Sequence, residues 1–199
     1  MLRRKDAKIF MNTTIQDILR DIRKEFFAFR NGIIADKLRK AGDPHPMIMG
    51  CLLVDVISIA QRTRESIDDE TKLAAIAQEL WNDTNSRECR LAAPMLYPAQ
   101  IMTLALAKEW CYTVETVEVA DNLCHKLLRQ TKDAEDLMSQ LITHENSLVK
   151  YTGYRLMLNL LLLSKIQFGD RLNTIVENEA KQAQQPLKSL LKDILEELE

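Results

Sequence analysis

Hydrophobic residues recur at helical spacing along most of the 199-residue chain. Ile15, Ile18, Leu19 and Ile22 fall on one face of a helix, which is the spacing typical of an amphipathic helix. No segment shows the polar and apolar alternation of a strand in competition with this pattern. The pattern predicts about eleven helices, over approximately residues 13–31, 33–41, 47–64, 69–82, 85–93, 98–110, 114–130, 133–143, 146–167, 170–183 and 186–198.

Composition favours the same all-α class. Five Gly, five Pro and 6% aromatic residues leave little material for the tight turns of an all-β fold. With 46% hydrophobic and 28% charged residues, the chain has the composition of a soluble folded protein, which excludes disordered, collagen-like and membrane-embedded proteins. The longest apolar stretch, Leu156–Leu163, is far shorter than the roughly 20 residues of a membrane span. Met1–Lys5 is charged but precedes no apolar segment, so a signal peptide is not expected.

The cysteines predict no metal site. Cys51, Cys89, Cys111 and Cys124 form no Cys-x-x-Cys pair, and no histidine stands at zinc-ligand spacing from them. In helical contexts, free thiols usually act as small buried hydrophobic groups. Reduced cysteines of this kind fit a cytoplasmic protein.

The formal charge of −2 is not the basic balance that is typical of a domain built on nucleic-acid backbones. Residues 1–40 nevertheless carry eleven Lys or Arg against five acids, a net charge of +6, so the other 159 residues sum to −8. A basic end could meet an anionic partner. Solvated cations on the outside of an amphipathic helix are the commoner explanation.

Weak internal similarity indicates a helical repeat. Residues in one segment match residues 61 positions later, and half of that offset is also visible. It relates Ala92, Asp121 and Gly153 at intervals of about 30 residues. Paired helices with a period near this length predict an α-solenoid, in which each pair packs against its neighbours. Asp121 is the polar exception among the three related positions.

Four segments resemble the AlkD-like DNA alkylation repair family, most specifically over residues 80–160. They are Leu80-Trp81, Arg87–Ala93, Glu109-Trp110 and Val119–Cys124. The resemblance implies an α-α superhelix of HEAT-like repeats, with the whole chain, residues 1–199, as a single domain. Trp81 and Trp110 end apolar helical stripes and are expected to be core residues.

The resemblance also implies a function. Active members are DNA glycosylases that remove cationic alkylated purines such as 7-methylguanine and 3-methyladenine, and they need no metal or other cofactor. The family's catalytic carboxylate falls on Asp121, where it would stabilise the positive charge that develops on the sugar. Duplex DNA would lie on the concave helical face. Candidate cations for its phosphates are Arg87, Arg90, Lys126, Lys150 and Arg155.

Several family features are absent, so two interpretations stay open. Val117 stands one helical turn before Asp121, where active members have an aromatic residue. Lys150 or Tyr151 occupies the position of an expected arginine, and no tryptophan follows Trp110. One interpretation is a DNA-binding glycosylase with a reduced site. The alternative is a non-catalytic helical-repeat scaffold that binds a protein partner or undamaged nucleic acid.

Overall fold

The computed structural model describes residues 14–164, 166 and 169–197. Over these residues the chain forms eleven α-helices, two short 3-10 helices and no β-strand, which confirms the predicted all-α class. The α-helices are α1 (Ile15–Ala28), α2 (Gly32–Lys40), α3 (Leu53–Glu65), α4 (Glu70–Asn82), α5 (Arg87–Leu96), α6 (Leu104–Tyr112), α7 (Val117–Lys126), α8 (Ala134–Leu141), α9 (Ser147–Leu162), α10 (Asp170–Gln182) and α11 (Leu187–Glu196). None of the helices in this part of the chain is long and apolar enough to cross a membrane.

Some predicted features lie outside the described residues. They are the Met1–Lys5 segment, four of the eleven cations of residues 1–40, and residues 165, 167, 168 and 198 near the predicted ends of two helices.

Polar side chains fix where many of the helices begin. At α1, the Thr14 hydroxyl accepts a hydrogen bond from the Asp17 amide while the Asp17 carboxylate accepts one from the Thr14 amide. Such a capping box satisfies two amides that the first helical turn leaves without partners. Other side-chain caps are Asn31, Asp69, Ser86, Thr103, Thr116 and Asn146.

Three helices of the chain begin at a constant interval. Helices α5, α7 and α9 begin at residues 87, 117 and 147, so successive starts are 30 residues apart. This helix register makes Leu91, Asp121 and Tyr151 the fifth residue of their respective helices. The similarity seen in the sequence related Ala92, Asp121 and Gly153 instead, and it differs from the observed register by one or two residues.

The chain divides into two compact units, the first ending at Pro98 and the second beginning at Ala99. Such units occur within one domain as well as between two, so the expectation of a single domain stays a prediction. In the first unit, α5 packs against α4 and α3, and α1 packs against the same two helices. Its core includes Phe26, Ile59, Ile76 and Leu91, each at most 1% exposed.

In the second unit, α9 packs against α7, α8 and α11. Gly153 lies at the contact between α9 and α8. A Cβ atom at this position would come within 2.7 Å of the Ile142 amide nitrogen and 2.8 Å of the Leu141 Cβ. The absence of a side chain therefore permits the close approach of the two helices.

The prediction of a helix over residues 47–64 is wrong at its beginning, because α3 starts only at Leu53. The amides of Met49, Gly50 and Cys51 donate instead to the buried carboxylate of Glu88, at 3.0–3.3 Å. Gly50 has a φ of 75°, a left-handed conformation that glycine adopts without strain. The apolar pattern of this segment resembles a helix, but its amides bond to a distant side chain.

The buried cysteines and tryptophans agree with the sequence prediction. The four cysteines are free and fully buried. Trp81 and Trp110 are 3% and 1% exposed and belong to the core.

Candidate functional site

Asp121 lies in the second unit, on the part of α7 that faces α9. The helix begins after Thr116, whose hydroxyl accepts a hydrogen bond from the Val119 amide. The neighbouring residues Ala120, Leu123 and Cys124 are fully buried. The Asp121 side chain stays 36% exposed, so solvent or a ligand can reach the carboxylate.

Two side chains of α9 converge on one oxygen of Asp121. The Tyr151 hydroxyl donates to Asp121 Oδ1 at 2.9 Å. Arg155 Nε lies 3.2 Å from the same oxygen, close enough for an ion pair but not aligned for a hydrogen bond. Tyr151 and Arg155 are four residues apart, which places them on the same face of α9.

The other oxygen of the carboxylate, Oδ2, has no hydrogen-bond partner among the described residues. Asp121 is therefore fixed through one oxygen and open through the other. A carboxylate in this state can accept a hydrogen bond from a water molecule or stabilise a nearby positive charge.

Burial raises the pKa of Asp121 above its ordinary value. The positive charge of Arg155 and the hydrogen bond from Tyr151 act in the opposite direction, while the charge of Glu118 raises the pKa further. Burial and the neighbouring Asp121 also raise the pKa of Tyr151 well above its usual range. The Tyr151 hydroxyl thus stays protonated and remains a hydrogen-bond donor to Asp121.

The predicted phosphate-binding cations of the second unit differ in their surroundings. Arg155 lies against Asp121, and Lys150 Nζ lies 3.2 Å from Glu179 Oε1. Lys126 is the last residue of α7 and is half-buried. Its ammonium group forms no ion pair with any residue in the described part of the chain.

The other two predicted cations, Arg87 and Arg90, are buried in the first unit, at 3% and 0% exposure. Arg87 Nη1 donates to Glu88 Oε1 at 3.0 Å and to the Cys51 carbonyl at 3.3 Å. The Arg90 guanidinium donates to the Trp81 carbonyl and stacks 3.7 Å from the centre of the Trp81 ring. Both arginines thus have structural contacts, and their burial does not support the DNA contacts predicted for them.

A pocket of about 330 Å³ lies beside the cluster formed by Asp121, Tyr151 and Arg155. Tyr151 belongs to both, because it lines the pocket and its hydroxyl donates to Asp121. Val117 also lines the pocket, one turn before Asp121. Charged residues in the lining are Glu145, Lys150 and Glu179.

Sequence reasoning did not identify the contact between Tyr151 and Asp121 or the pocket beside it. The available signal was the separation of 30 residues, which equals the interval between the starts of α7 and α9. Residues separated by one full repeat occupy the same register on successive helices. A polar pair at that separation was therefore a candidate contact.

Within the described residues, no group of three or more His, Cys, Asp or Glu side chains is arranged to hold a metal ion.

Comparison with known proteins identifies the family. No curated protein and no solved structure matches the chain. A family model described as DNA alkylation repair enzyme matches residues 22–188, a span that includes Asp121, Tyr151 and Arg155. The match supports a role in DNA repair, while the AlkD-like subtype stays a prediction. The chain belongs to the DNA alkylation repair enzyme family.

Proposed function

We propose that the protein binds duplex DNA on a concave face of HEAT-like repeats and excises cationic alkylated purines, with Asp121 as the catalytic carboxylate. The observation that supports this function best is the state of the Asp121 carboxylate. One oxygen is held by Tyr151 and Arg155, and the other is open to a ligand. A carboxylate that is fixed in orientation before the reaction stabilises developing charge without having to rearrange.

A cationic purine is a good leaving group and does not need an acid to protonate it. When the bond between the sugar and a cationic purine breaks, the electron pair moves to the ring nitrogen and the base leaves as a neutral molecule. The deoxyribose then carries positive charge, which the Asp121 carboxylate stabilises. A water molecule adds to the sugar carbon and loses its proton to Asp121 or to solvent.

Tyr151 and Arg155 act through Asp121 in this scheme. Both contacts favour the ionised carboxylate and oppose the effect of burial on its pKa. Both also approach Oδ1, so they direct Oδ2 towards the reacting sugar. We therefore assign them positioning roles, and Arg155 retains the phosphate contact proposed for it only as a second role.

The direct test is the release of methylated purines from alkylated duplex DNA under single-turnover, low-salt conditions. The wild type should release the base, and Asp121→Asn should release it far more slowly. Asp136→Asn is the matched control, because Asp136 is an exposed acid on α8 with no hydrogen bond or ion pair to a described residue.

A second candidate function is that of a non-catalytic scaffold that binds a protein or undamaged nucleic acid. The surroundings of Asp121 favour it in one respect, since Glu118 lies close enough for its charge to raise the pKa of Asp121, and negative charge at this place opposes a phosphate. The absence of release from a correctly folded wild type would favour this alternative over the glycosylase.

A further inference from the structure

A group of cationic side chains lies at the end of α7, one helical turn after Asp121. This cationic site consists of His125 and Lys126 of α7, Arg129 of the 3-10 helix that follows, and Arg155 of α9. We propose that the cationic site binds a DNA phosphate and that His125 takes up a proton when the phosphate binds. This inference rests on the DNA binding of the proposed function and does not depend on the excision step.

Helical spacing places the cationic site beside the candidate reaction centre. His125 is four residues after Asp121, so the two side chains share one face of α7. Their separation along the helix axis is about 6 Å. Arg155 approaches from α9, where its Nε lies 3.2 Å from Asp121 Oδ1. A sugar and its phosphate are neighbouring groups of one nucleotide, so the carboxylate and the cationic site suit these two groups.

The cationic site is accessible to a ligand. His125 is exposed, and its imidazole has no hydrogen-bond partner among the described residues. Lys126 and Arg129 are half-buried, and the Arg155 side chain is 28% exposed. Because Lys126 has no ion pair within the described part of the chain, its ammonium group is available to a phosphate, whereas Arg129 has further contacts of its own.

The net charge of the cationic site is positive. Lys126 and Arg155 supply two positive charges, and the Asp121 carboxylate beside Arg155 offsets one of them. The C-terminal end of α7 offsets roughly half a charge more, so roughly half a positive charge remains before Arg129 is counted. The charge of Arg129 adds to this balance, which therefore favours a phosphate.

His125 lies in a positive electrostatic field. Partial burial lowers its pKa below the ordinary value, and the charges of Arg129, Lys126 and Arg155 lower it further. These cations come from its own helix and from the 3-10 helix and α9, the elements against which α7 mainly packs. The acids Asp121 and Glu118 of the same helix are not among the charges that shift the pKa of His125. The imidazole is therefore neutral at neutral pH in the free protein.

A bound phosphate opposes this effect of the cations. Its negative charge favours the imidazolium form, so bound DNA should raise the pKa of His125. A proton then moves from solvent to the imidazole on binding and returns to solvent on release. Because the pKa is higher in the complex than in the free protein, the affinity for DNA should fall as the pH rises from the free value to the bound value.

The first experiment measures the affinity of the full chain for an undamaged duplex by fluorescence anisotropy, between about pH 5 and 8 at constant low salt. Affinity should be about ten-fold higher at the acidic end, the effect of raising a pKa by about one on binding. His125→Gln should bind DNA without this dependence. His144→Gln is the matched control, because it removes a histidine from the loop before α9 and should retain the dependence. A dependence that survives in His125→Gln would overturn the proposal.

Asp121 is the other group near the cationic site that can take up a proton at the acidic end of this interval, because burial raises its pKa. Its neutralisation would also favour a phosphate, so Asp121→Asn separates the two groups. This variant should keep the pH dependence at a higher overall affinity, since it has lost a carboxylate that repels phosphate. Loss of the dependence in Asp121→Asn would assign it to the carboxylate and contradict the proposal.

A second measurement follows the histidine directly. NMR titration of the His125 ring, assigned by its absence from the spectrum of His125→Gln, gives the pKa with and without the duplex. The proton affinity of the ring should rise about ten-fold on binding. A pKa of His125 that DNA leaves unchanged would overturn the proposal.

These results distinguish the cationic site from the proposed function. DNA binding that depends on His125 and pH, without release of methylated purines, would contradict only the glycosylase activity. Release of methylated purines without that dependence would contradict only the cationic site. Absence of DNA binding at every pH would contradict both.

Discussion

Two carboxylates, one in each unit, show how differently a similar group can be used. Glu88 of the first unit is 0% exposed, and both of its oxygens accept hydrogen bonds from backbone amides. Asp121 of the second unit is partly exposed and engages described residues through Oδ1 alone. Each has an arginine beside it. A carboxylate with every acceptor occupied holds a fold together, whereas one with a free oxygen can act on a ligand.

The arginines show the same contrast. Arg87 pairs with Glu88 inside the first unit and is 3% exposed. The Arg155 side chain is 28% exposed and reaches Asp121 from a neighbouring helix. The presence of arginine beside an acid therefore does not identify a functional site. What matters is whether the pair is accessible, because a ligand can contact only an accessible pair.

The largest effect in the comparison is expected for Glu88→Gln. The substitution removes the negative charge that pairs with the buried Arg87 and offers an amide donor to backbone amides that need an acceptor. Breaking a buried pair in this way should lower the free energy of unfolding by about 3 kcal/mol. Urea denaturation measures it, with Glu79→Gln, an exposed acid on α4, as the control. Equal stability of the two variants would remove the structural role assigned to Glu88.

A smaller effect is expected for Tyr151→Phe. Loss of the hydrogen bond to Asp121 should lower the excision rate about ten-fold, the loss of one charge-assisted hydrogen bond. The same change removes a contact that lowers the pKa of Asp121, so the acid limb of the pH–rate profile should move to higher pH. Tyr154→Phe, on the same helix, is the control. An unchanged profile in Tyr151→Phe would show that the hydroxyl does not tune Asp121.

Lys126→Gln tests the half-buried cation of α7 against the buried arginines of the first unit. If Lys126 contacts one phosphate, its removal should make the slope of log affinity against log salt shallower by about 0.9. Affinity for undamaged and alkylated duplexes should fall by similar factors, because phosphate contacts carry no base information. Fluorescence anisotropy at several salt concentrations measures both quantities. A slope identical to that of the wild type would exclude this contact.

The smallest effect is expected for the stability of Asp121→Asn, in contrast to the large loss of stability expected for Glu88→Gln. Burial raises the pKa of Asp121, so the native state binds the proton more tightly than the unfolded state does. The stability of the wild type should therefore decrease as the pH rises from the unfolded pKa to the native pKa. At neutral pH the neutral asparagine should change the free energy of unfolding by less than about 1 kcal/mol, in the stabilising direction. Urea denaturation over a pH series checks the sign, and a large destabilisation would indicate a structural carboxylate like Glu88.

The sequence predicted the helices well where local patterns decide them. The helix predicted over residues 69–82 is observed as Glu70–Asn82, and Asn146 caps α9 close to the predicted start. The segment over residues 47–52 was predicted incorrectly, because its backbone amides bond to Glu88, almost 40 residues away in sequence. Local periodicity contains no information about such a partner.

The candidate site was predictable only in part. Asp121 was identified through a family resemblance, and Arg155 was named as a phosphate contact although it lies against Asp121. The role of Tyr151 depends on the packing of α7 against α9, which brings together side chains 30 residues apart. The helices α7 and α9 begin 30 residues apart, which places Asp121 and Tyr151 at the same position of their helices. The approximate repeat in the sequence was displaced from this register by one or two residues, so it did not pair them.

The most direct test of the central claim is the single-turnover release of 7-methylguanine by Asp121→Asn, measured per folded molecule. Loss of the negative charge of the carboxylate should slow release by about a hundred- to a thousand-fold, the usual effect of removing one electrostatic group from a reaction centre. The stability of the variant should match that of the wild type, and Asp136→Asn should release the base at the wild-type rate. Release by Asp121→Asn at the wild-type rate would contradict the assignment of Asp121 as the catalytic carboxylate.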